Sequence, residues 1–171
     1  MEIKSTRSFH YLLALAGIAA GVILDQITKY FVLTRLKGNA PVVLWEGVFQ
    51  LEYLENRGAA FGLFQNQKPF FILSVVIICA LVAWFYVHVP MEKYFLPLRI
   101  CAVFIVAGAI GNCIDRLRLD YVVDFFYFKL IDFPIFNVAD IYVTVSAFLL
   151  AFLLIFYYKE EDFERIFHRR K

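Results

Sequence analysis

Three cysteines, three histidines and a net charge of only +2 leave this 171-residue sequence short of several chemistries. Three thiols cannot pair completely. Cys101 and Cys113 fall on one expected helix about 18 Å apart at roughly 1.5 Å per residue, beyond disulfide reach, and Cys79 lies inside an apolar run. All three read as small packing residues rather than as a framework or a nucleophile. HExxH, the helix-borne zinc signature, is absent. The net charge is too small to imply nucleic acid as a partner. No repeat, low-complexity tract or linker splits the chain, so residues 1–171 are expected to form one domain.

What the chain has in excess is apolar surface. Hydrophobic residues make up 62% of it and the mean hydropathy is +0.70, too apolar for an ordinary soluble domain. Charge is unevenly spread: 23 uncharged residues separate Lys68 from Glu92, 18 separate Asp140 from Lys159, and residues 8–24 and 100–114 form uncharged runs of 17 and 15. A helix needs roughly 20 apolar residues to cross the hydrocarbon core of a bilayer. The expected fold is therefore an all-α membrane protein with four transmembrane helices, near 10–32, 70–89, 96–116 and 137–158. The two shorter runs reach spanning length only by taking in Asp25 and Lys29, or Arg99 and Asp115.

A removable signal peptide is not expected at the first run, because Asp25, Gln26 and Lys29 continue the same helical segment and no small-residue cleavage site follows. Leu13-Ala14-Leu15-Ala16-Gly17 is followed by Ile18 where a lipidated cysteine would stand, so the chain is not expected to be a lipoprotein itself. Lys and Arg are denser in the N-terminal tail, the 90–99 loop and the 159–171 tail than in segments 33–69 and 117–135. By the positive-inside rule both termini are expected in the cytoplasm, with the basic C-terminal tail an anchor near anionic membrane lipid. Gly17 and Gly21, and Ala107 and Gly111, have small-xxx-small spacing. They are expected to pack helices within one chain, which points to a monomer.

Between the first two helices the pattern changes. Val42–Trp45 and 48–53 flank Glu46-Gly47 and read as two β-runs around a turn, with Phe49, Leu51 and Tyr53 on an apolar face and Gln50 and Glu52 on a polar one. This predicts a small extracytoplasmic β-sheet platform between helices 1 and 2, suited to an extended peptide or else a lipid-facing loop. Segment 117–136 is rich in aromatics and is expected to lie in the membrane interface.

Ionisable residues in membrane segments are costly and usually functional. With the helices threaded as above, Asp25, Asp115, Asp124 and Asp140 converge on the outer leaflet, at the level of Lys29, Asn56, Asn112, Arg116 and Asn137. His10, His88 and His168 fall at the opposite ends, so neither a histidine metal site nor a Ser–His or Cys–His pair can be built beside the acids. A Ser–Lys pair is conceivable, but Ser74 and Ser146 on the outer half have no obvious Lys beside them, so what remains is carboxylate chemistry. Several of these residues also have a local explanation. Asp25 and Lys29 stand at i, i+4 and can neutralise each other; Asp115 can pair with Arg116 or Arg118; Asn137 and Asp140 have capping-box spacing. Asp124 has no such partner: Val122, Val123, Phe125 and Phe126 flank it, and apolar surroundings raise a carboxyl pKa.

Five ordered blocks carry a family resemblance: Asp25-Gln26-Ile27-Thr28-Lys29; Asn56-Arg57-Gly58-Ala59-Ala60-Phe61; the run from Gly108 to Arg116; Val122-Val123-Asp124-Phe125; and Phe136-Asn137-Val138-Ala139-Asp140. Together they resemble the bacterial lipoprotein signal peptidase, or signal peptidase II. Ala107 departs from a glycine common before the third block, a small-for-small change. The resemblance implies that Asp124 and Asp140 are a catalytic aspartyl pair. It implies that Asn56, Asn112, Arg116 and Asn137 shape the site or hold substrate backbone, with Asp25, Lys29 and Asp115 in support. The implied substrate is a diacylglyceryl-modified prolipoprotein cut before its lipidated Cys, in the bacterial cytoplasmic membrane, with no cofactor or metal. The rival readings are a small proton-coupled transporter using Asp25 and Asp140, and a silent membrane scaffold. Transport sites tend to lie near the midplane between repeats, whereas these acids gather at one face and no repeat is visible.

Overall fold

A computed structural model describes residues 7–58 and 67–167. The N-terminal Lys4, Ala59-Ala60-Phe61 of the second block, and His168 with the last three basic residues lie outside the described residues. Four long helices carry the chain: α1 (Arg7–Arg35), α2 (Lys68–His88), α3 (Leu96–Leu119) and α4 (Val138–Phe152), the last continuing through a wider π turn at Leu153–Tyr157. All four segments are long and apolar enough to cross a membrane, as the hydropathy predicts. Pro69 and Pro97 sit in the first turns of α2 and α3, where a missing N–H costs no helical hydrogen bond. Both α1 and α3 run about one turn further toward the sheet than the expected spans 10–32 and 96–116. α3 stops at Asp120, whose left-handed backbone (φ 67°) ends the helix.

α3 is the central helix, with α1, α2 and α4 all packed on it. α2 has no buried residue, and Leu73, Val76 and Leu81 stand more than half exposed; in a bilayer such side chains meet lipid. Small residues set how closely helices approach. A Cβ on Gly17 would lie 3.1 Å from Val103, and one on Gly21 would lie 3.0 Å from the Cβ of Ala107. The GxxxG of α1 therefore packs onto α3 inside the chain, as expected. A Cβ on Gly108 would collide with the carbonyl oxygen of Ala139, so only glycine there lets the start of α4 reach α3.

The sheet is larger than the sequence pattern predicts. β1 (Val42–Trp45) and β2 (Phe49–Asn56) form the expected antiparallel pair about a turn in which Gly47 has φ +71°. A third strand, β3 (Val122–Phe128), comes from the segment between α3 and α4 and pairs antiparallel with β2, in the order β1-β2-β3. β3 gives little alternation signal because Val122, Val123, Asp124 and Phe125 are all buried. A register shift between Leu51 and Leu54 brings Leu54 opposite Asp124 and Asn56 opposite Val122. The expected polar face is also corrected: Gln50 is buried and donates to Glu52 (2.7 Å). Val123 and Phe125 pack with Val32 of α1, with Leu36 just past its end and with Tyr121, which seats the sheet on the end of the bundle.

At the opposite end the tail forms a further helix. α5 (Glu160–Phe167) folds back so that Ile166 joins Val89, Phe95, Leu98, Leu153 and Tyr158 in a core cluster. Tyr94 donates to Asp162 and Arg165 pairs with Glu92, tying the tail to the α2–α3 loop.

Candidate active site

Four carboxylates meet where the sheet joins the bundle, and each has a traceable partner. From α1, Asp25 and Lys29 form the expected i, i+4 pair at 3.0 Å, both essentially fully buried. Lys29 Nζ also lies 3.0 Å from Asp115 Oδ2 on α3. This corrects the local reading of Asp115: its ion-pair partner is Lys29, across two helices, rather than Arg116 or Arg118 beside it in sequence. Asp115 further accepts the Val123 N–H (3.2 Å) and so holds the start of β3. Arg116 donates instead to the Gly58 carbonyl (2.9 Å), and its guanidinium lies 4.1 Å above the ring of Phe71.

Asp25 reaches past α3 to the first turn of α4, where Oδ1 accepts the Ala139 N–H at 3.0 Å. The orphan N–H groups of a helix start favour a carboxylate. The approach depends on Gly111, because a Cβ there would lie 2.5 Å from Asp25 Oδ2. Gln26 closes the same cluster, donating to Asp115 Oδ1 at 2.9 Å.

Asn137 caps α4 as its spacing predicts. Its side chain accepts the Asp140 N–H (3.0 Å), while Asp140 Oδ2 accepts the Asn137 N–H (3.1 Å). Capping does not exhaust either residue. Asn137 Nδ2 donates to Asp124 Oδ1 at 2.6 Å, and Asp140 Oδ1 accepts from Asn112 Nδ2 at 2.7 Å. On the other side, Asn56 at the end of β2 donates to Asp124 Oδ2 at 2.9 Å. Asp124 and Asp140 are thus joined through one residue, Asn137, which bonds to both.

Asp124 is buried on β3, and its carboxyl is pushed up to about 7. Burial is the main cause and the neighbouring Asp140 charge the next, opposed by the hydrogen bonds from Asn56 and Asn137. Both carboxylates line a cavity of about 770 Å³. Asn56, Asn112 and Arg116 contribute to its polar lining, while Phe71 of α2, Ile141 and Val145 of α4, and residues 133–136 contribute apolar lining.

All nine residues singled out from the sequence stand in this one network. Sequence reasoning assigned no role to Gln26, Gly58 or Phe71. Gln26 carried a signal as a polar residue inside an apolar helix. Gly58 acts through its backbone, and Phe71 sits in an aromatic-rich apolar run, so neither stood out. His10 and His88 lie near the start of α1 and at the end of α2, away from the acids.

Comparison with known proteins shows the family. Residues 17–156 match the family model described as signal peptidase (SPase) II. The lipoprotein signal peptidase of Clostridium tetani is 41% identical over 150 residues, covering 86% of this chain and 93% of the relative. That of Streptococcus thermophilus is 42% identical over 146 residues, covering 85% and 92%. Two solved structures, each described as a bacterial membrane enzyme studied in meso, superpose with TM-scores of 0.75 and 0.72 at 29% identity. The first alignment covers 84% of this chain and 87% of the other, the second 85% and 94%. Matched along most of its length in both sequence and fold, the chain belongs to the signal peptidase II family of integral membrane peptidases.

Proposed function

We propose that this chain is an aspartyl endopeptidase that removes the signal peptide from diacylglyceryl-modified prolipoproteins, cutting just before the lipidated Cys. The observation that carries the reading is the bridged pair: Asp124 and Asp140, each bonded to Asn137, face one cavity at the sheet end of four membrane-spanning helices. Two close carboxylates share one proton because both cannot ionise cheaply. Asp124, among buried apolar neighbours, holds that proton. Asp140 sits at the start of α4, where the helix dipole favours a negative charge, and is the ionised member.

Asp140 takes a proton from water as the water oxygen bonds to the scissile carbonyl carbon. Asp124 gives its proton to the carbonyl oxygen, producing a tetrahedral diol. Asp140 then gives its proton to the scissile nitrogen as the C–N bond breaks, one diol hydroxyl returns its proton to Asp124, and the two peptide fragments leave with the pair in its starting state. No acyl-enzyme forms. Asn56, Asn112 and Arg116 shape the polar lining of the cavity. Asp25, Lys29 and Asp115 support it by holding α1, α3, β3 and α4 together.

The substrate's acyl chains remain in the bilayer, so the site must admit water and still touch lipid. A cavity lined by both polar and apolar residues, at the end of the spans, meets both demands. The chain acts as a monomer and a single domain in the bacterial cytoplasmic membrane, with both termini inside and the sheet outside. Incubating the purified protein with a lipidated prolipoprotein should release the signal peptide. Absence of cleavage together with proton-coupled solute flux in proteoliposomes would replace this reading with a transporter.

A further inference from the structure

Three asparagines surround the two carboxylates, and each has its amide oxygen held by a group that can only donate. Asn56 Oδ1 accepts the Gly58 N–H (2.9 Å) and Asn137 Oδ1 accepts the Asp140 N–H (3.0 Å). Asn112 Oδ1 accepts from the ammonium of Lys29 (2.8 Å). An amide pinned by its oxygen must present its NH₂ on the other side. All three NH₂ groups accordingly point at the pair: two at Asp124 and that of Asn112 at Asp140. Two of the pins are backbone N–H groups that any side chain at those positions would supply. The third is a buried lysine on another helix.

Lys29 has three N–H bonds, and neutralising Asp25 and Asp115 needs only two of them. The third is directed at Asn112. Turned over, that amide would set its oxygen against Asp140 Oδ1 and its NH₂ against both Lys29 and the NH₂ of Asn137, which now donates to Asn112 Oδ1 at 3.1 Å. Two acceptors in contact are tolerable only if one carries a proton. The turned amide would therefore put the shared proton on Asp140 and remove the base.

We propose that Lys29 is a positioning residue for the reaction: it fixes the direction of the Asn112 amide, and so keeps Asp140 as the ionised base and leaves the proton on Asp124. This rests on the reading of Asp124 and Asp140 as the catalytic pair. It goes beyond holding the fold, because a loss of Lys29 that still leaves the chain folded should impair the reaction.

The test is Asp25→Asn combined with Lys29→Met, which removes one charge of each sign and leaves an amide oxygen at position 25 to accept the Ala139 N–H. The double variant should still unfold cooperatively, at a temperature below that of Asp25→Asn alone because Asp115 loses its buried cation. On a lipidated prolipopeptide its KM should stay within about threefold of wild type while kcat falls about 100-fold, the scale expected when a reacting group is misplaced. Lys29→Arg, which keeps a cationic donor, should retain more kcat than the double variant. Wild-type kcat in a stably folded double variant overturns the role of Lys29. A second measurement needs no Lys29 variant. The infrared band of a protonated carboxyl, read at about pH 5 in ester-free detergent, should disappear in Asp124→Asn and persist in Asp140→Asn; the reverse overturns the proton placement. Asp140→Asn is assayed alongside. If it cleaves, the pair itself is misassigned, whereas an inactive Asp140→Asn beside a fully active double variant removes only Lys29.

Discussion

Asn137 and Asp140 hold each other in a closed pair of hydrogen bonds, Asp140 N–H to Asn137 Oδ1 at 3.0 Å and Asn137 N–H to Asp140 Oδ2 at 3.1 Å. A cap and a catalytic base make different demands on the same carboxylate, and Asp140→Asn separates them. Asn still supplies an acceptor for the cap, so the fold should lose about 1 kcal/mol or less. It cannot take a proton from water, so cleavage should fall by several orders of magnitude. Asp124→Asn should do the same. The double variant should be about as inactive as either single one, because the two act as a unit. Rates on a lipidated substrate, with melting curves for each protein, decide it; substantial cleavage by Asp140→Asn would return the residue to capping alone.

The raised carboxyl of Asp124 predicts a pH dependence. Its ordinary value is 3.8 and burial pushes it up to about 7. The folded protein therefore keeps a proton that the unfolded chain gives up at lower pH. The contribution to stability is complete below the unfolded value, shrinks as pH rises toward 7 and is gone above it. Activity needs that same proton, so kcat/KM should decline on the alkaline side with a midpoint near 7. A profile flat from about pH 6 to 9 would remove Asp124 as the acid.

Asp25→Asn leaves Lys29 with Asp115 as its remaining carboxylate partner. Breaking a buried pair outright costs about 3–5 kcal/mol, and this partial loss should cost less. The thermal midpoint in detergent should drop, and adding Lys29→Met should lower it further, because Asp115 then loses its buried cation. Full stability with no activity in Asp25→Asn would move Asp25 into the reacting group.

Gly111→Ala tests the route by which α1 reaches α4. The new methyl would lie 2.5 Å from Asp25 Oδ2 and must displace it from the Ala139 N–H. Both melting temperature and cleavage should fall. Unchanged values for both would show that Asp25 does not set the position of α4.

The three thiols should be dispensable, since Cys101 is buried and Cys79 and Cys113 are partly so. Replacing all three by Ala should keep appreciable cleavage at a packing cost of roughly 1 kcal/mol or less per site. In that background a Cys at exposed Glu46 should react with an impermeant thiol reagent in spheroplasts, and one at exposed Glu161 should not. The opposite labelling would reverse the orientation.

Local pattern alone determined the four spans, the β1–β2 hairpin, the cap of α4 and the gathering of the acids at one end. Each follows from hydropathy, spacing or turn chemistry within a few turns of chain, and helix rise then sets the depth of every charge. Tertiary structure decided the rest. β3 is buried along most of its length and shows little alternation, so it was legible only once β2 lay beside it. Asp115 has two arginines nearby in sequence and pairs with neither, because the packing of α1 on α3 brings Lys29 to 3.0 Å and Arg116 is engaged by Gly58 and Phe71. The tail became a folded helix because Ile166 finds a cluster built from α3 and the ends of α2 and α4. Partner choice between distant segments depends on which helix faces meet, and a one-dimensional pattern of charge and hydropathy holds no distance between them.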